Sequence, residues 1–159
     1  MPDNRTPESR SALMSRIGPK NTQPELTVRR LLHKLGYRFR LHRRDLPGTP
    51  DIVFPSRRVA LFVHGCFWHG HDCSKGRLPK SRPEYWGPKI QRNRQRDLEK
   101  RALLESGGWT VVEVWQCETK ATEELAAALE SKLGPSGKIR STMDQSTTNT
   151  DRKRRKVKP

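Results

Sequence analysis

Cys66, Cys73 and Cys117 are the only cysteines in the chain, and two of them lie in a histidine-crowded stretch, His64-Gly65-Cys66-Phe67-Trp68-His69-Gly70-His71-Asp72-Cys73. Three thiols cannot pair off among themselves. Three thiolates plus one imidazole complete a tetrahedral Zn²⁺ site, so Cys66, His71, Cys73 and Cys117 are the expected ligand set for one structural zinc. His64 and His69 are then left over beside Phe67 and Trp68. A metal-tied loop with spare imidazoles and large aromatics, in a very basic protein, points to chemistry on nucleic acid.

The second candidate is Asp51, in Gly48-Thr49-Pro50-Asp51-Ile52-Val53-Phe54. Its carboxylate stands at the mouth of an apolar strand, after a turn set by Gly and Pro. An Asx-type turn cap is the plain alternative. If the next strand, ending in His64, pairs with it as a hairpin, Asp51 and a backbone carbonyl of that strand come together and suit Mg²⁺, which takes few protein ligands. His64 and His69 would then orient or deprotonate water there.

The 159 residues allow one domain, and a hydrophobic content of 31% is a lean core that a zinc staple would help. A formal net charge of +16 makes a polyanion the expected partner, through release of counterions from phosphates. No stretch is apolar enough to span a bilayer, the polar N-terminus does not read as a signal peptide, and thiolate ligands fit a reducing cytoplasm. From Gly134 onward apolar periodicity stops. The segment 134–159 carries eight Lys or Arg against two Asp, +6 of the +16, and reads as a disordered basic tail behind a domain at 1–133.

The elements that must position these groups alternate helix and strand. A helix is expected over 6–17, and a second from the Thr22-Gln23-Pro24-Glu25 capping box to Gly36. Strands are expected at 37–41, 51–54 and 57–64, the last with Val59, Leu61 and Val63 on one face and Ala60, Phe62 and His64 on the other. A cationic helix over 89–106, with Ile90, Leu98, Ala102 and Leu103 towards the core, precedes a strand at 109–115 and a helix at 121–133. The fold class is α/β, a mixed sheet flanked by helices.

Four stretches carry a family resemblance: Leu46-Pro-Gly-Thr-Pro-Asp51; Val63-His-Gly-Cys-Phe-Trp-His69 with His71 and Cys73; Glu84-Tyr-Trp86 with Lys89-Ile90; and Gly107-Gly-Trp-Thr-Val-Val-Glu-Val-Trp-Gln-Cys117. From about Arg10 to Leu133 the chain resembles the very short patch repair (Vsr) DNA mismatch endonucleases. The resemblance implies a restriction-endonuclease-like fold with a structural zinc, and a Mg²⁺-dependent, strand-specific nick 5′ to the thymine of a T:G mispair, leaving a 3′-hydroxyl and a 5′-phosphate. It implies that Asp51 bridges two Mg²⁺ ions, that the Val63 carbonyl completes one site, and that His64 and His69 act on water. Val63 departs from the family's frequent Thr, a change that a main-chain ligand tolerates. Glu25 matches a carboxylate near the metal waters, although it reads equally well as a helix cap. Phe67, Trp68 and Trp86 would form a wedge entering beside the mismatch from the major groove, opposed by Met14 from the minor groove; core packing for the rings and helix packing for Met14 are the plain alternatives, and Lys89 and Asn93, one helical turn apart, are placed to read base edges. The enzyme is expected to be a cytoplasmic monomer acting on double-stranded DNA. A zinc-stabilised DNA-binding module without catalysis, and a restriction-type nuclease of matched duplex, are the other readings these residues allow.

Overall fold

The computed structural model describes residues 20–137. The expected helix over 6–17, Met14, and the tail beyond residue 137 lie outside the described residues. Those described build three helices and one four-stranded mixed sheet, in the order α1 (Gln23–Lys34), β1 (Arg40–Leu41), β2 (Ile52–Phe54), β3 (Val59–His64), α2 (Pro83–Ser106), β4 (Thr110–Trp115) and α3 (Thr122–Leu133). The strands lie in sequence order, with β1–β2 and β2–β3 antiparallel and β3–β4 parallel. A parallel neighbour requires a crossover, and α2 supplies it.

α1 opens and closes as its sequence dictates. Thr22 Oγ1 accepts the Glu25 N–H at 3.4 Å, while the Glu25 carboxylate reaches back to the N–H of Asn21, 3.1 Å away, rather than to that of Thr22. At the other end Gly36 has φ +87°, Tyr37 N–H donates to the Leu32 carbonyl and Gly36 N–H to that of His33, the Schellman arrangement. Tyr37 is therefore spent on the helix end, and β1 has only two residues where five were expected. Tyr37 and Phe39 instead set their rings edge-on to Phe54, at centroid distances of 6.1 and 6.0 Å.

The alternation in β3 divides the core as expected. Val59 and Leu61 join Val28, Leu32, Ile52, Phe54, Val112, Val114, Leu125 and Leu129 in the main core, under α1 and α3. Ala60 and Phe62 face α2 with Val111, Leu104, Leu46 and Trp109, a much smaller cluster. Tyr37 and Arg57 tie down the chain after α3 through the carbonyls of Gly134, Leu133 and Pro135.

α2 departs from expectation twice. It begins at Pro83, six residues before the expected Lys89, and runs through Pro88. Pro88 removes one backbone bond, but the added turn carries Trp86, whose ring meets Phe67 at 5.1 Å and Trp68 at 6.0 Å. Tertiary packing outweighs the local break. The buried face is also rotated: Ile90 and Leu104 are buried, with Asp97 midway between them, whereas Leu98 and Leu103 are 63% and 59% exposed and Ala102 is exposed. The heptad spacing Ile90, Asp97, Leu104 keeps one stripe against the sheet with a carboxylate in it. Leu104→Ala should cost about 2–4 kcal/mol, by loss of transfer energy and cavity formation. Leu103→Ala should stay within about 0.5 kcal/mol. Urea unfolding of the two variants checks the rotation, and equal losses would place the stripe wrongly.

Candidate active site and metal-binding cluster

β3 and β4 run side by side as far as His64 and Trp115, and each is followed two residues later by a cysteine, Cys66 and Cys117. His71 folds back on this pair: its N–H donates to the Cys66 carbonyl at 2.9 Å, and its ring stacks on Trp115 at 4.3 Å. Cys66, His71, Cys73 and Cys117 then present four donor atoms within 4.8 Å of one another. Cys117 Sγ lies 3.5 Å from His71 Nδ1. A tetrahedron with usual Zn–S and Zn–N lengths has an S–N edge of about 3.6 Å. All three cysteines are free thiols. Hydrogen bonding from His71 pulls Cys73 down to about 6, while burial and the neighbouring Cys66 and Cys73 sulfurs push Cys117 up to about 11. Several sulfurs this close resist becoming thiolates together unless a cation joins them. The donor set fits a closed metal site.

Beside this cluster opens a cleft of about 1080 Å³, lined among others by Glu25, His42, Asp51, Val63, His64, Trp68, His69 and Asp97. Its floor is the β2–β3 hairpin. The preceding turn, with Gly48 at φ +76° and Thr49 N–H on the Leu46 carbonyl at 3.1 Å, sets Asp51 at the entry to β2. There the Val63 N–H donates to Asp51 Oδ2 at 2.8 Å. Burial raises Asp51 to about 6, against the Val63 hydrogen bond and helped by the Glu25 charge. The carboxylate is ionised at neutral pH and held in an environment that favours a cation beside it.

The two spare imidazoles stand together, ring centroids 4.2 Å apart. His64 is buried between Phe62 and Trp115, its Nε2 3.7 Å from Glu113. His69 Nδ1 meets Asp97 Oδ2 at 2.5 Å. Burial would raise Asp97, but that hydrogen bond and the charges around it hold its carboxyl below the usual range; Glu113 is lowered by its contact with His64, against its own burial. With Nδ1 turned to Asp97, His69 has Nε2 left for the cleft, the pattern of an oriented general base. On the far side of Asp51, Glu25 is buried, takes Arg29 at 2.9 Å, and groups with His42 and Asp51 within 4.8 Å.

At the cleft rim Phe67, Trp68 and Trp86 form an edge-to-face cluster, with centroids 5.1 to 6.0 Å apart, which Tyr85 extends. Lys89 Nζ lies 5.3 to 5.6 Å from the rings of Trp68, Tyr85 and Trp86. Asn93 Nδ2 donates to the Trp68 carbonyl at 2.9 Å, so one of its donors already braces the aromatic loop.

The family model described as DNA mismatch endonuclease Vsr matches residues 2–75. A type II nicking enzyme of Xanthomonas oryzae pv. oryzae, V.XorIIP, is 61% identical over 136 residues, 86% of this chain and 100% of that protein. The DNA mismatch endonuclease Vsr of Escherichia coli K12 is 38% identical over 134 residues, 84% of this chain and 86% of that protein. The chain belongs to the Vsr family of DNA mismatch endonucleases. It is a DNA endonuclease, and no helix among the described residues is long and apolar enough to cross a membrane.

Around this Vsr-family cleft the sequence reading missed Asp97, Glu113, His42 and Arg29. Asp97 reads as one carboxylate among helix-surface cations, and only the heptad stripe it shares with Ile90 and Leu104 could have singled it out. Glu113 alternates with Val112 and Val114 as any strand residue would, on the face shared with His64.

Asp51 also carries a stability signature. A carboxylate raised from 3.8 to about 6 contributes stability below 3.8 that is lost as pH rises through 6, on the order of 3 kcal/mol. Asp51→Asn keeps an acceptor for Val63 and has no charge to bury. In magnesium-free buffer at pH 8 it should melt roughly 5–10 °C above the parent, with the difference closing towards pH 4. Identical melts at pH 8 would mean that the carboxylate is not strained by its burial.

Proposed function

We propose that the protein is a Mg²⁺-dependent, strand-specific endonuclease that nicks double-stranded DNA on the 5′ side of the thymine in a T:G mispair, acting as a cytoplasmic monomer. The carrying observation is the position of Asp51, buried and cation-seeking, across one cleft from the His69–Asp97 pair and next to a rim of clustered aromatic rings. The antiparallel β2–β3 hairpin followed by a parallel β4 supports a restriction-endonuclease-like core.

In this reading the Asp51 carboxylate and the Val63 carbonyl would hold the catalytic Mg²⁺, two ions on the family pattern, and Glu25 would add negative charge nearby. Magnesium there would neutralise phosphate charge and favour both attacking and leaving oxygens. His69 Nε2 takes the proton of the attacking water, and Asp97 fixes its tautomer and steadies the imidazolium that forms. His64, packed against His69 and facing Glu113, orients the same water. The water oxygen bonds to phosphorus as the bond to the 3′ oxygen breaks, leaving a 3′-hydroxyl and a 5′-phosphate. The restriction-enzyme lysine that follows a second acidic residue is absent from this sequence, and an imidazole takes its work.

Cys66, His71, Cys73 and Cys117 would hold a structural Zn²⁺, which as a four-ligand site would fix the loop and take no part in the hydrolysis. Phe67, Trp68 and Trp86 enter the duplex from the major groove, with Met14 opposing them. A T:G wobble stacks poorly, so opening it costs less than the few kcal/mol of a matched step, and that difference becomes selectivity. Lys89 reads base edges, and Asn93 does so through its side-chain carbonyl oxygen while its amide braces Trp68. The basic surface supplies the non-specific affinity.

Incubating the chain with end-labelled duplexes that carry each mismatch in varied flanks, with Mg²⁺ or with chelator, tests this directly. One cut strand, at T:G only and only with Mg²⁺, is expected; cleavage of matched duplex would move the enzyme to the restriction class, and no cleavage would leave a binding module. In the same panel Trp68→Ala should lose preference for T:G over matched duplex by about tenfold or more, a loss worth about 1.4 kcal/mol of unstacking work. For the cluster, Cys117→Ser should purify with less than one zinc per chain and a lowered Tm. Full zinc content by atomic absorption would refute that ligand set.

A further inference from the structure

The cleft holds one feature that the proposed reaction does not use. His42 leaves β1 in the left-handed region, φ +47°, with its backbone N–H on the Asp51 carbonyl at 3.2 Å. That turn sends its imidazole to the Glu25 side of Asp51, opposite His64 and His69. His42 Nε2 is 3.9 Å from Glu25 Oε2, and donor atoms of Glu25, His42 and Asp51 all lie within 4.8 Å. Two ligands held at about 2.1 Å from one ion stand at most about 4.2 Å apart, so small side-chain rotations close this set. A cationic group already sits there: one Arg29 nitrogen is 2.9 Å from both Glu25 Oε2 and His42 Nε2. Because Arg29 can only donate, the nitrogen of His42 that faces it carries a lone pair. Arg29 Nε, meanwhile, is buried with no hydrogen-bond partner among the described residues. The guanidinium fits the place imperfectly.

We propose that Glu25, His42 and Asp51 form an imidazole-bearing position for a divalent cation, covered by Arg29 in the cation-free protein, which takes a borderline transition ion such as Mn²⁺ in preference to Mg²⁺. This deepens the reading of Asp51 as a cation ligand and rests on it. Oxygen-only sites suit hard Mg²⁺, whereas one imidazole beside two carboxylates adds a donor that first-row transition ions use better. Arg29 keeps the Glu25 carboxylate neutralised until an ion arrives and must swing away for His42 Nε2 to ligate.

The full chain, with its Cys/His site filled with zinc and no DNA present, is titrated with Mn²⁺ by electron paramagnetic resonance, and the bound ion is read for nitrogen hyperfine coupling. Mg²⁺ is used as the competitor. One bound Mn²⁺ with nitrogen coupling is expected. His42→Asn, chosen because Asn tolerates the left-handed backbone, should erase the coupling and weaken Mn²⁺ roughly tenfold or more, while changing Mg²⁺ by less than about threefold. Arg29→Met should tighten Mn²⁺. Coupling that is absent, or that survives in His42→Asn and disappears in His64→Asn or His69→Asn, overturns the assignment while leaving Asp51 as a ligand. Undiminished binding of both ions to Asp51→Asn would instead remove the reading on which it rests.

Discussion

The parallel pairing of β3 with β4 is the constraint on which the rest depends. It aligns two strand ends residue for residue, His64 opposite Trp115, so the chain leaves the sheet twice at one level and Cys66 meets Cys117. Parallel strands cannot be joined by a tight turn, so the chain must cross the sheet through α2, and α2 thereby brings Asp97 to His69 and Trp86 to Phe67. A cleft at the C-terminal ends of parallel strands is where open α/β sheets collect ligands, because helix and loop diverge there and leave space. In this chain the loop after β3, which carries three of the four donors, lines one side of that space and the β2–β3 hairpin another. Weakening the β3–β4 register would therefore disperse the thiols, the histidines and the rings together.

The two faces of the sheet divide the work. The face under α1 and α3 buries a continuous aliphatic and aromatic core, whereas the cluster under α2 is small, Ala60, Leu104 and Val111 with Leu46, Phe62 and Trp109 partly covered. Polar groups occupy the remainder of the lean face, His64 and Glu113 on strands and Asp97 on the helix. Each has a partner, His64 with Glu113, which also meets Arg101, and Asp97 with His69. Asp51 is the exception. Its one strong donor is the Val63 N–H, which does not offset its burial. The stability for tolerating that carboxylate comes from the other face of the same strands, in Ile52, Phe54 and Leu61.

What was legible in the sequence follows from how rare each signal is. Cysteine and histidine at short spacing in a chain with only three thiols leave few arrangements, and the structure brings those four donors within 4.8 Å. Strand alternation in β3 and the capped ends of α1 are local signals and were read with small errors at their bounds. The phase of α2 was not legible, because its stripe includes Asp97 and so breaks the apolar pattern on which the reading relies, while Leu98 and Leu103 advertise a face that is exposed. Its start was hidden by Pro88, a local break that Trp86 overrides by packing across the chain. The Arg29–His42 contact spans thirteen residues and depends on a left-handed bend after β1, which nothing near His42 announces.

The aromatic rim is organised in a way that fits a surface meant to exchange partners. Phe67, Trp68, Tyr85 and Trp86 meet edge to face, and Lys89 lies over three of them. A cation over an exposed ring contributes about 0.5–1 kcal/mol, and a base stacked on an aromatic ring about 1–3 kcal/mol. On the proposed reading, each ring that gives up the ammonium for a base gains, and the released Lys89 gains a base edge or phosphate in turn. Asn93 does not take part in that exchange with its amide, since it remains bonded to the Trp68 carbonyl. The backbone of the ring-bearing loop is thus braced at Trp68, and on the proposed reading that brace serves a wedge, because a yielding base would lose the work of unstacking.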